Sequence, residues 1–257
     1  MLEAPRNPVN SASLAAGESF RSMIPIRDDA PRFSTPYVNY FLVALNSVVF
    51  LFEVILAPPV RQALIMSLGY VPLRVTALVS GSHQVAPAAA FVPVLTSMFL
   101  HASWLHLIGN MWFLWIFGDN IEDHLGHFKY LAFYLLSGVA ATMLQTAFDP
   151  TSAIPNVGAS GAIAGVMGAY FVLFPSARVL TLVPFLFIFF VWLPAWIMLG
   201  YWFMLQFLSG AATSIVSSRS TNSGGIAFWA HVGGFVAGIV LIKVFPARPR
   251  RFRYNAW

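Results

Sequence analysis

Long apolar stretches alternate with short polar ones along most of the chain. Six of these stretches approach the roughly 20 residues needed to cross about 30 Å of hydrocarbon. The fifth stretch is the longest and contains Pro184 and Pro194, which predict a kink or tilt. The pattern predicts six transmembrane helices, at about residues 37–57, 96–118, 128–148, 158–174, 179–209 and 226–245.

The flanking segments are more polar and predict a simple domain organisation. Residues 1–35 mix prolines with scattered charges and predict a cytosolic N-terminal tail, without the apolar core of a secretory signal. Residues 36–246 form the predicted six-helix domain, with a long first outer loop at about 58–95. Residues 247–257 predict a basic cytosolic C-terminal tail.

Composition agrees with a membrane protein. Of the 257 residues, 58% are hydrophobic and 9% are charged, whereas soluble domains carry about 25% charged residues. The absence of cysteine excludes a disulfide-stapled fold. The sequence therefore predicts an all-α membrane protein built as a six-helix bundle.

The positions of the basic residues predict an orientation for this bundle. With both termini in the cytoplasm, 11 of the 14 lysines and arginines lie on the inner side, as the positive-inside rule requires. The outer side keeps Arg61, Arg74 and Arg219. The net charge of +5 is thus explained by the membrane, and nucleic acid is not an expected partner. We expect a bacterial cytoplasmic membrane.

A few polar residues lie inside the predicted spans, where polar side chains are energetically unfavourable and usually mark a functional site. His106 and Asn110 are four residues apart in the second span and share a helix face. Ser160 opens the fourth span, and His231 lies near the start of the sixth. These three spans run inward, so all four side chains are expected in the outer half of the membrane.

Glycine spacing predicts which spans touch. Gly161 and Gly165 form a small-residue seam in the fourth span, and Gly234 and Gly238 form another in the sixth. Such seams let helix backbones approach closely. If the two seams pair, Ser160 comes close to His231.

This combination of side chains is suited to nucleophilic catalysis. Histidine is the usual base for a serine hydroxyl, which predicts Ser160 as the nucleophile and His231 as the general base. The Ser160 backbone N–H, the Asn110 amide and the His106 imidazole could hold an oxyanion. Gly158 and Gly161 leave room for a tight turn beside the serine. A Ser–His dyad is expected, because neither of the nearest carboxylates, Asp149 and Glu53, belongs to a motif that would make it the third member of a triad.

These motifs resemble those of the rhomboid intramembrane serine proteases, over most of residues 37–245. The family's histidine and asparagine four residues apart appear as His106 and Asn110. Its GxSG motif appears as residues 158–161, and its histidine followed by a GxxxG seam appears at residues 231–238. His101 fits a second, structural histidine of the family.

The resemblance implies an intramembrane endopeptidase that cleaves transmembrane segments of membrane proteins, near small residues and without a cofactor. Two family features are missing, because Val92 and Pro93 stand where a Trp–Arg pair is common, and Ala164 stands where some members have an aromatic residue. The lipid bilayer and transmembrane substrates are the expected partners. The sequence does not fix an oligomeric state.

Other classes of function fit the sequence less well. A transporter would distribute polar residues over the full depth of the membrane, whereas here they cluster in one half. A catalytically inactive rhomboid-like protein that binds clients stays open as the alternative, although such proteins usually lack the serine or the histidine. A metal site at Asp123, His124 and His127 is not expected, because no further strong ligand is near.

Overall fold

A computed structural model of the chain describes residues 23–185, 187–217 and 227–248. The predicted positions of residues 1–22 in the N-terminal tail and 249–257 in the C-terminal tail lie outside this part. The described chain is mostly helical. Its elements are β1 (Ile24–Asp28), α1 (Tyr37–Ile55), α2 (Pro58–Leu68), α3 (Pro72–Val79), α4 (Pro87–Thr96), α5 (Trp104–Leu125), α6 (His127–Phe148), α7 (Ser160–Leu173), β2 (Arg178–Phe185), β3 (Phe187–Pro194), α8 (Ala195–Ser217) and α9 (Phe228–Val244).

Several of these helices are long and apolar enough to cross a membrane. They are α1, α6 and residues Ala195–Ser214 of α8, and a fourth span is formed if the bent pair Pro87–Phe99 and Trp104–Leu125 is counted as one. That pair is bent by 76°. Helices α7 and α9 are apolar but shorter, with 14 and 17 residues. The described chain is therefore a membrane protein with three or four such spans.

The expectation of an all-α fold is wrong at one place. The predicted fifth span, 179–209, is divided into a β-hairpin, β2–β3, and the helix α8. Its first half is rich in β-branched and aromatic residues, which favour strands, and Pro184 and Pro194 remove helical hydrogen bonds. Strand β1 pairs with β2, which completes an antiparallel sheet with the order β1-β2-β3.

The described end of the predicted N-terminal tail is bound to the helices. The Trp112 indole N–H donates to the Pro25 carbonyl over 2.6 Å. Arg32 forms an ion pair with Asp119 over 3.1 Å, and the Ser34 hydroxyl donates to Asp123. Residues 25–34 thus run along one side of α5 toward its C-terminal end.

A buried carboxylate joins the starts of two helices. Glu122 near the end of α5 accepts the backbone N–H groups of Val38 and Asn39, over 2.9 and 2.7 Å. These N–H groups belong to the first turn of α1 and have no intrahelical partner. His127 Nδ1 lies 2.5 Å from the same carboxylate. Glu122 therefore caps α1 and links it to α5 and α6.

Helix α7 lies at the centre of the bundle. Its residues Gly161 to Tyr170 are all buried, between α5, α6 and α9. Small residues face these neighbours, so the surrounding helices approach its backbone closely. The first residue of this central helix is Ser160.

The N-terminal strand predicts an effect of pH on stability. Burial raises the pKa of Asp28 to about 6; the hydroxyl of Tyr170 opposes the rise, and the charges of Asp119 and Asp29 add to it. The folded state therefore binds this proton more tightly than the unfolded state does. The stabilising contribution of the protonated Asp28 carboxyl is present below about pH 4 and is lost as the pH rises through about 6.

We expect the free energy of unfolding of Asp28→Asn, relative to that of the wild type, to rise by about 1–2 kcal/mol when the pH is raised from 4.5 to 7.5. This figure is already reduced for the partial exposure of Asp28. Thermal unfolding in detergent at both pH values measures this change. Asp29→Asn is the control and should show almost no change over this window, because the Arg178 backbone N–H and guanidinium lower the pKa of Asp29 and its carboxylate is ionised in both the folded and the unfolded state above pH 4.5. An Asp28→Asn stability difference that does not vary with pH would contradict the prediction.

Candidate active site

The turn before α7 presents Ser160 at the start of a helix. Gly158 has a φ of +127°, in a region that side chains rarely adopt, and its N–H donates to the Ser97 carbonyl over 2.9 Å. Ser160 is the first residue of α7. The first N–H groups of a helix lack intrahelical acceptors and favour negative charge. The serine hydroxyl thus lies beside a set of free backbone donors.

The two glycine seams pack directly against each other. A Cβ placed on Gly234 would overlap the carbonyl oxygen of Gly161, and one on Gly238 would overlap that of Gly165. Only glycine at these positions allows α7 and α9 to approach each other this closely. It places the start of α7 beside the first turns of α9.

This packing joins the predicted serine and histidine. Ser160 Oγ lies 2.8 Å from His231 Nε2. The His231 side chain is mostly buried, with 9% of the residue exposed. A hydroxyl and an imidazole at this separation share a hydrogen bond.

The second ring nitrogen of His231 contacts a residue that sequence reasoning missed. His231 Nδ1 lies 2.8 Å from Oε1 of Gln206 on α8. A glutamine inside an apolar run was the available signal, but its partner is on another helix. The Trp202 ring, one turn earlier on α8, has its centroid 5.8 Å from that of His231. The Trp202 ring therefore lies against the imidazole. Ala164, the position at which an aromatic residue is missing, is buried and lies beside Gly234 of α9.

His106 and Asn110 lie on the other side of the turn. A Cβ on Gly158 would lie 2.6 Å from His106 Nε2 and 3.5 Å from Asn110 Nδ2. The Asn110 amide nitrogen is buried and donates to no group in the described part of the chain. Both side chains line the same cavity as Ser160. Two side-chain donors therefore face the space in front of the serine.

Neither carboxylate considered from the sequence contacts His231. Glu53 accepts the backbone N–H of His101 over 3.1 Å and lies 3.9 Å from the Arg61 guanidinium. Arg61 also donates to the His101 and Ala102 carbonyls. Asp149 ends α6, where its N–H donates to a carbonyl of that helix. Glu53 and Arg61 thus fix the segment that leads into α5.

His127, at the start of α6, has a carboxylate partner. His127 lies against Glu122, as described above. Among residues 23–185, 187–217 and 227–248, no group of three or more histidine, aspartate or glutamate side chains is arranged to hold a metal.

A cavity of about 640 Å³ opens in front of Ser160. It is lined largely by apolar side chains, among them the neighbouring rings of Phe113 and Trp202, whose centroids lie 6.5 Å apart. A second space of about 40 Å³ lies beside Ser160 and is bounded by Met98, Gly138 and Gly161, among others. The larger cavity has room for a peptide segment and the smaller one for a single small side chain.

Comparison with known proteins identifies relatives. The rhomboid domain profile matches residues 88–248. Rhomboid protein 1, mitochondrial, of Saccharomyces cerevisiae is 29% identical over 58% of this chain and 40% of its own length. Presenilin-associated rhomboid-like protein, mitochondrial, of Bos taurus is 31% identical over 57% of this chain and 36% of its own. Rhomboid-like protein 11, chloroplastic, of Arabidopsis thaliana is 40% identical over 30% of this chain and 27% of its own.

This chain therefore matches less than half the length of each of these relatives. Their names place them in mitochondria and chloroplasts, so they do not support the bacterial cytoplasmic membrane expected from the sequence. The profile match covers more than half of this chain and contains the seams, Ser160 and His231. The chain belongs to the rhomboid family.

Proposed function

We propose that this protein is an intramembrane serine endopeptidase in which Ser160 is the nucleophile and His231 the general base. The single observation that carries the proposal is the 2.8 Å contact between Ser160 Oγ and His231 Nε2. It occurs at a helix N-terminus, in a cavity shared with two further donors. Family membership supports the same activity.

In the proposed reaction, Ser160 Oγ attacks the carbonyl carbon of a peptide bond while its proton moves to His231 Nε2. This requires the lone pair on Nε2 and the proton on Nδ1. The Gln206 carbonyl oxygen accepts that Nδ1–H and favours the required tautomer. Gln206 is thus a positioning residue, in the place where serine proteases with a triad have a carboxylate.

Attack places a negative charge on the former carbonyl oxygen. The donors proposed to hold it are the Ser160 backbone N–H, the Asn110 amide and the His106 imidazole. The C–N bond then breaks, and His231 gives its proton to the departing amine. Water, activated by the same histidine, attacks the acyl-serine ester and releases the carboxylic acid and free Ser160.

The proposed substrates are transmembrane segments of membrane proteins. A largely apolar cavity of about 640 Å³ accommodates an unwound stretch of such a segment. The space of about 40 Å³ beside Ser160 limits the side chain next to the cleaved bond. We expect alanine there to be cleaved about 10-fold or more faster than phenylalanine, because a phenyl ring is too large for a space of about 40 Å³.

A pair of substrates that differ only at this residue measures the ratio of kcat/KM. The control is a substrate with phenylalanine several residues away, where the larger cavity has room. This substitution should lower kcat/KM by less. Equal kcat/KM for alanine and phenylalanine beside the cleaved bond would contradict the assignment of the small space.

A variant of the positioning residue gives a further prediction. Gln206→Leu keeps the side-chain volume but removes the acceptor, so kcat is expected to fall by about 10- to 100-fold with KM little changed. Gln206→Glu restores an acceptor and should recover most of the loss. Thr213→Val is a control on the same helix, since its hydroxyl bonds only within α8 among the described residues. Equal losses in the Leu and Glu variants would indicate a structural role alone.

The proposed topology has six crossings, with α7 and α9 as the two short ones and both termini cytoplasmic. Residues 1–35 and 247–257 would then flank a six-helix domain at 36–246, and the loop at 58–95 would lie on the outer side. Helices α2 and α3 lie within this loop, and α4 begins in it. The positive-inside distribution of lysine and arginine supports this orientation.

Covalent labelling by a fluorophosphonate tests the proposed activity. The purified protein in detergent is compared with Ser160→Ala and His231→Ala, and each variant is checked for folding by its thermal transition. Labelling that is lost in both variants supports an activated serine. A folded wild-type protein that reacts neither with this probe nor with an isocoumarin would overturn the proposal in favour of an inactive, client-binding rhomboid.

A further inference from the structure

The β2–β3 hairpin exposes a contiguous apolar surface. Residues 188–191 of β3 are here called the tip segment. The exposed fractions of Ile188, Phe189, Phe190 and Val191 are 67%, 49%, 62% and 40%. Neighbouring residues of a strand point to opposite faces, so the ribbon is apolar on both sides. A surface of this kind is unfavourable in water and indicates a partner.

The position of the sheet indicates which partner this is. Pro25, which pairs with Thr181 of β2, accepts a hydrogen bond from Trp112 of α5. Trp112 lies about 12 Å from the start of α5 and about 20 Å from its end, by helical rise. The sheet is therefore beside the middle of α5, which is half of a bent pair long enough to cross a membrane.

The other end of the hairpin continues into a second membrane helix. Strand β3 ends at Pro194, and α8 begins at the next residue. The Ala195 N–H donates to the Ala177 carbonyl over 2.8 Å, which closes the base of the hairpin. Both neighbours of the hairpin thus lie in the bilayer.

The base of the hairpin differs in chemistry from its tip. The guanidinium carbons of Arg27 and Arg178 lie 5.6 and 5.8 Å from the centre of the Trp192 ring. Arginine and tryptophan are typical of the membrane–water interface, where the apolar part of the side chain is buried and the polar part is wet. Polarity therefore changes along the hairpin axis, from a charged base to an apolar tip.

The edge of the sheet limits how deeply the hairpin can lie. Within the described residues, β3 is the last strand, so one row of its backbone N–H and C=O groups is unpaired. Unpaired backbone groups in the hydrocarbon core are costly. A shallow position, where headgroups and water reach this edge, avoids that cost.

We propose that the β2–β3 hairpin is embedded in one leaflet of the bilayer, with the tip segment among the acyl chains and Arg27, Arg178 and Trp192 at the level of the headgroups. The hairpin then lies in the membrane without crossing it. The proposal concerns the lipid contacts of this sheet and is independent of the proposed catalysis.

Fluorescence quenching tests the location of the tip. Because the sequence contains no cysteine, Ile188→Cys carries a single environment-sensitive nitrobenzoxadiazole label in the full chain, reconstituted in phosphatidylcholine vesicles. Val48→Cys on α1, which is 63% exposed, is the lipid-facing reference. Ser176→Cys, an exposed position just before β2, is the matched reference at the base of the hairpin.

We expect bromine-labelled lipids to quench the label at 188 about as strongly as the label at 48, and about twice as strongly as the label at 176. Quenching by aqueous iodide without quenching by bromolipids would overturn the proposal. A label reached by neither quencher would also overturn it, since the tip would then be covered by protein, such as a second copy of the chain.

Discussion

Gly158→Ala is expected to lower peptide hydrolysis and fluorophosphonate labelling by about 10²–10³-fold, the effect of losing one oxyanion donor. A Cβ at this position would lie 2.6 Å from His106 Nε2, so the imidazole must move away from the space in front of Ser160. The backbone at φ +127° adds strain of about 1–3 kcal/mol. Rates of labelling and thermal unfolding measured on one preparation separate these two effects.

Gly81→Ala is the matched control for this variant. Gly81 also has a positive φ, of +87°, but a Cβ there meets no atom within 4 Å. The control should therefore show comparable backbone strain with nearly unchanged labelling. If Gly158→Ala retained wild-type labelling, neither His106 nor the shape of this turn could be important for the reaction.

Gly234→Ala is expected to reduce activity about 10²-fold, the effect of a displacement of about 1 Å in a catalytic group. The new Cβ would overlap the Gly161 carbonyl oxygen, which belongs to a helix backbone and cannot rotate away. Helix α9 must move away from α7, and this separates His231 from Ser160. Overpacking of this kind also destabilises a fold by about 1–3 kcal/mol.

Gly200→Ala on α8 provides the comparison, because the nearest atom to its Cβ would be a Phe171 ring carbon at 3.8 Å, an ordinary contact. We expect that variant to keep its activity and its thermal transition. Activity assays at a temperature well below both transitions prevent unfolding from being counted as lost catalysis. A fully active Gly234→Ala protein would show that the distance between α7 and α9 is not critical.

Helices that are apolar along their whole length are predictable from sequence. The predicted stretches 37–57, 128–148 and 226–245 agree with α1, α6 and α9 to within a few residues. Polar or conformationally special residues interrupt the pattern at their ends: Pro36 precedes α1, and Gly126 precedes α6. Hydropathy alone is enough where an element is apolar throughout and its boundary is chemically distinct.

The sheet was not predictable in the same way. Residues 179–194 are as apolar as a membrane helix, and hydropathy does not distinguish the two structures. The distinction depends on strand pairing with residues 24–28, which lie about 150 positions away in sequence. Such a long-range pairing leaves no local signal, apart from the two prolines and the excess of β-branched and aromatic residues.

The residues of the candidate site also differ in how far the sequence predicts them. Ser160, His231, His106 and Asn110 were found because each stands out as a polar residue in an apolar span, and the glycine seams predicted the contact between two of their helices. Gln206 stands out equally, but its importance depends on the rotation of α8 about its axis. That rotation is fixed by tertiary packing, which the pattern of α8 itself does not encode.

The buried column from Gly161 to Tyr170 has a consequence for the host membrane. Ser160, Ile163 and Met167 of α7 line the large cavity, and the next residues of the helix, Gly168 to Tyr170, are buried. At the far end of the column, the Tyr170 ring lies against Phe117, and its hydroxyl is bonded to Asp28. In the part of the chain that the structure describes, the cavity is therefore closed at this end by packed side chains. Vesicles that contain this protein should keep a proton gradient as well as empty vesicles do, so a cell could carry many copies without losing its membrane potential.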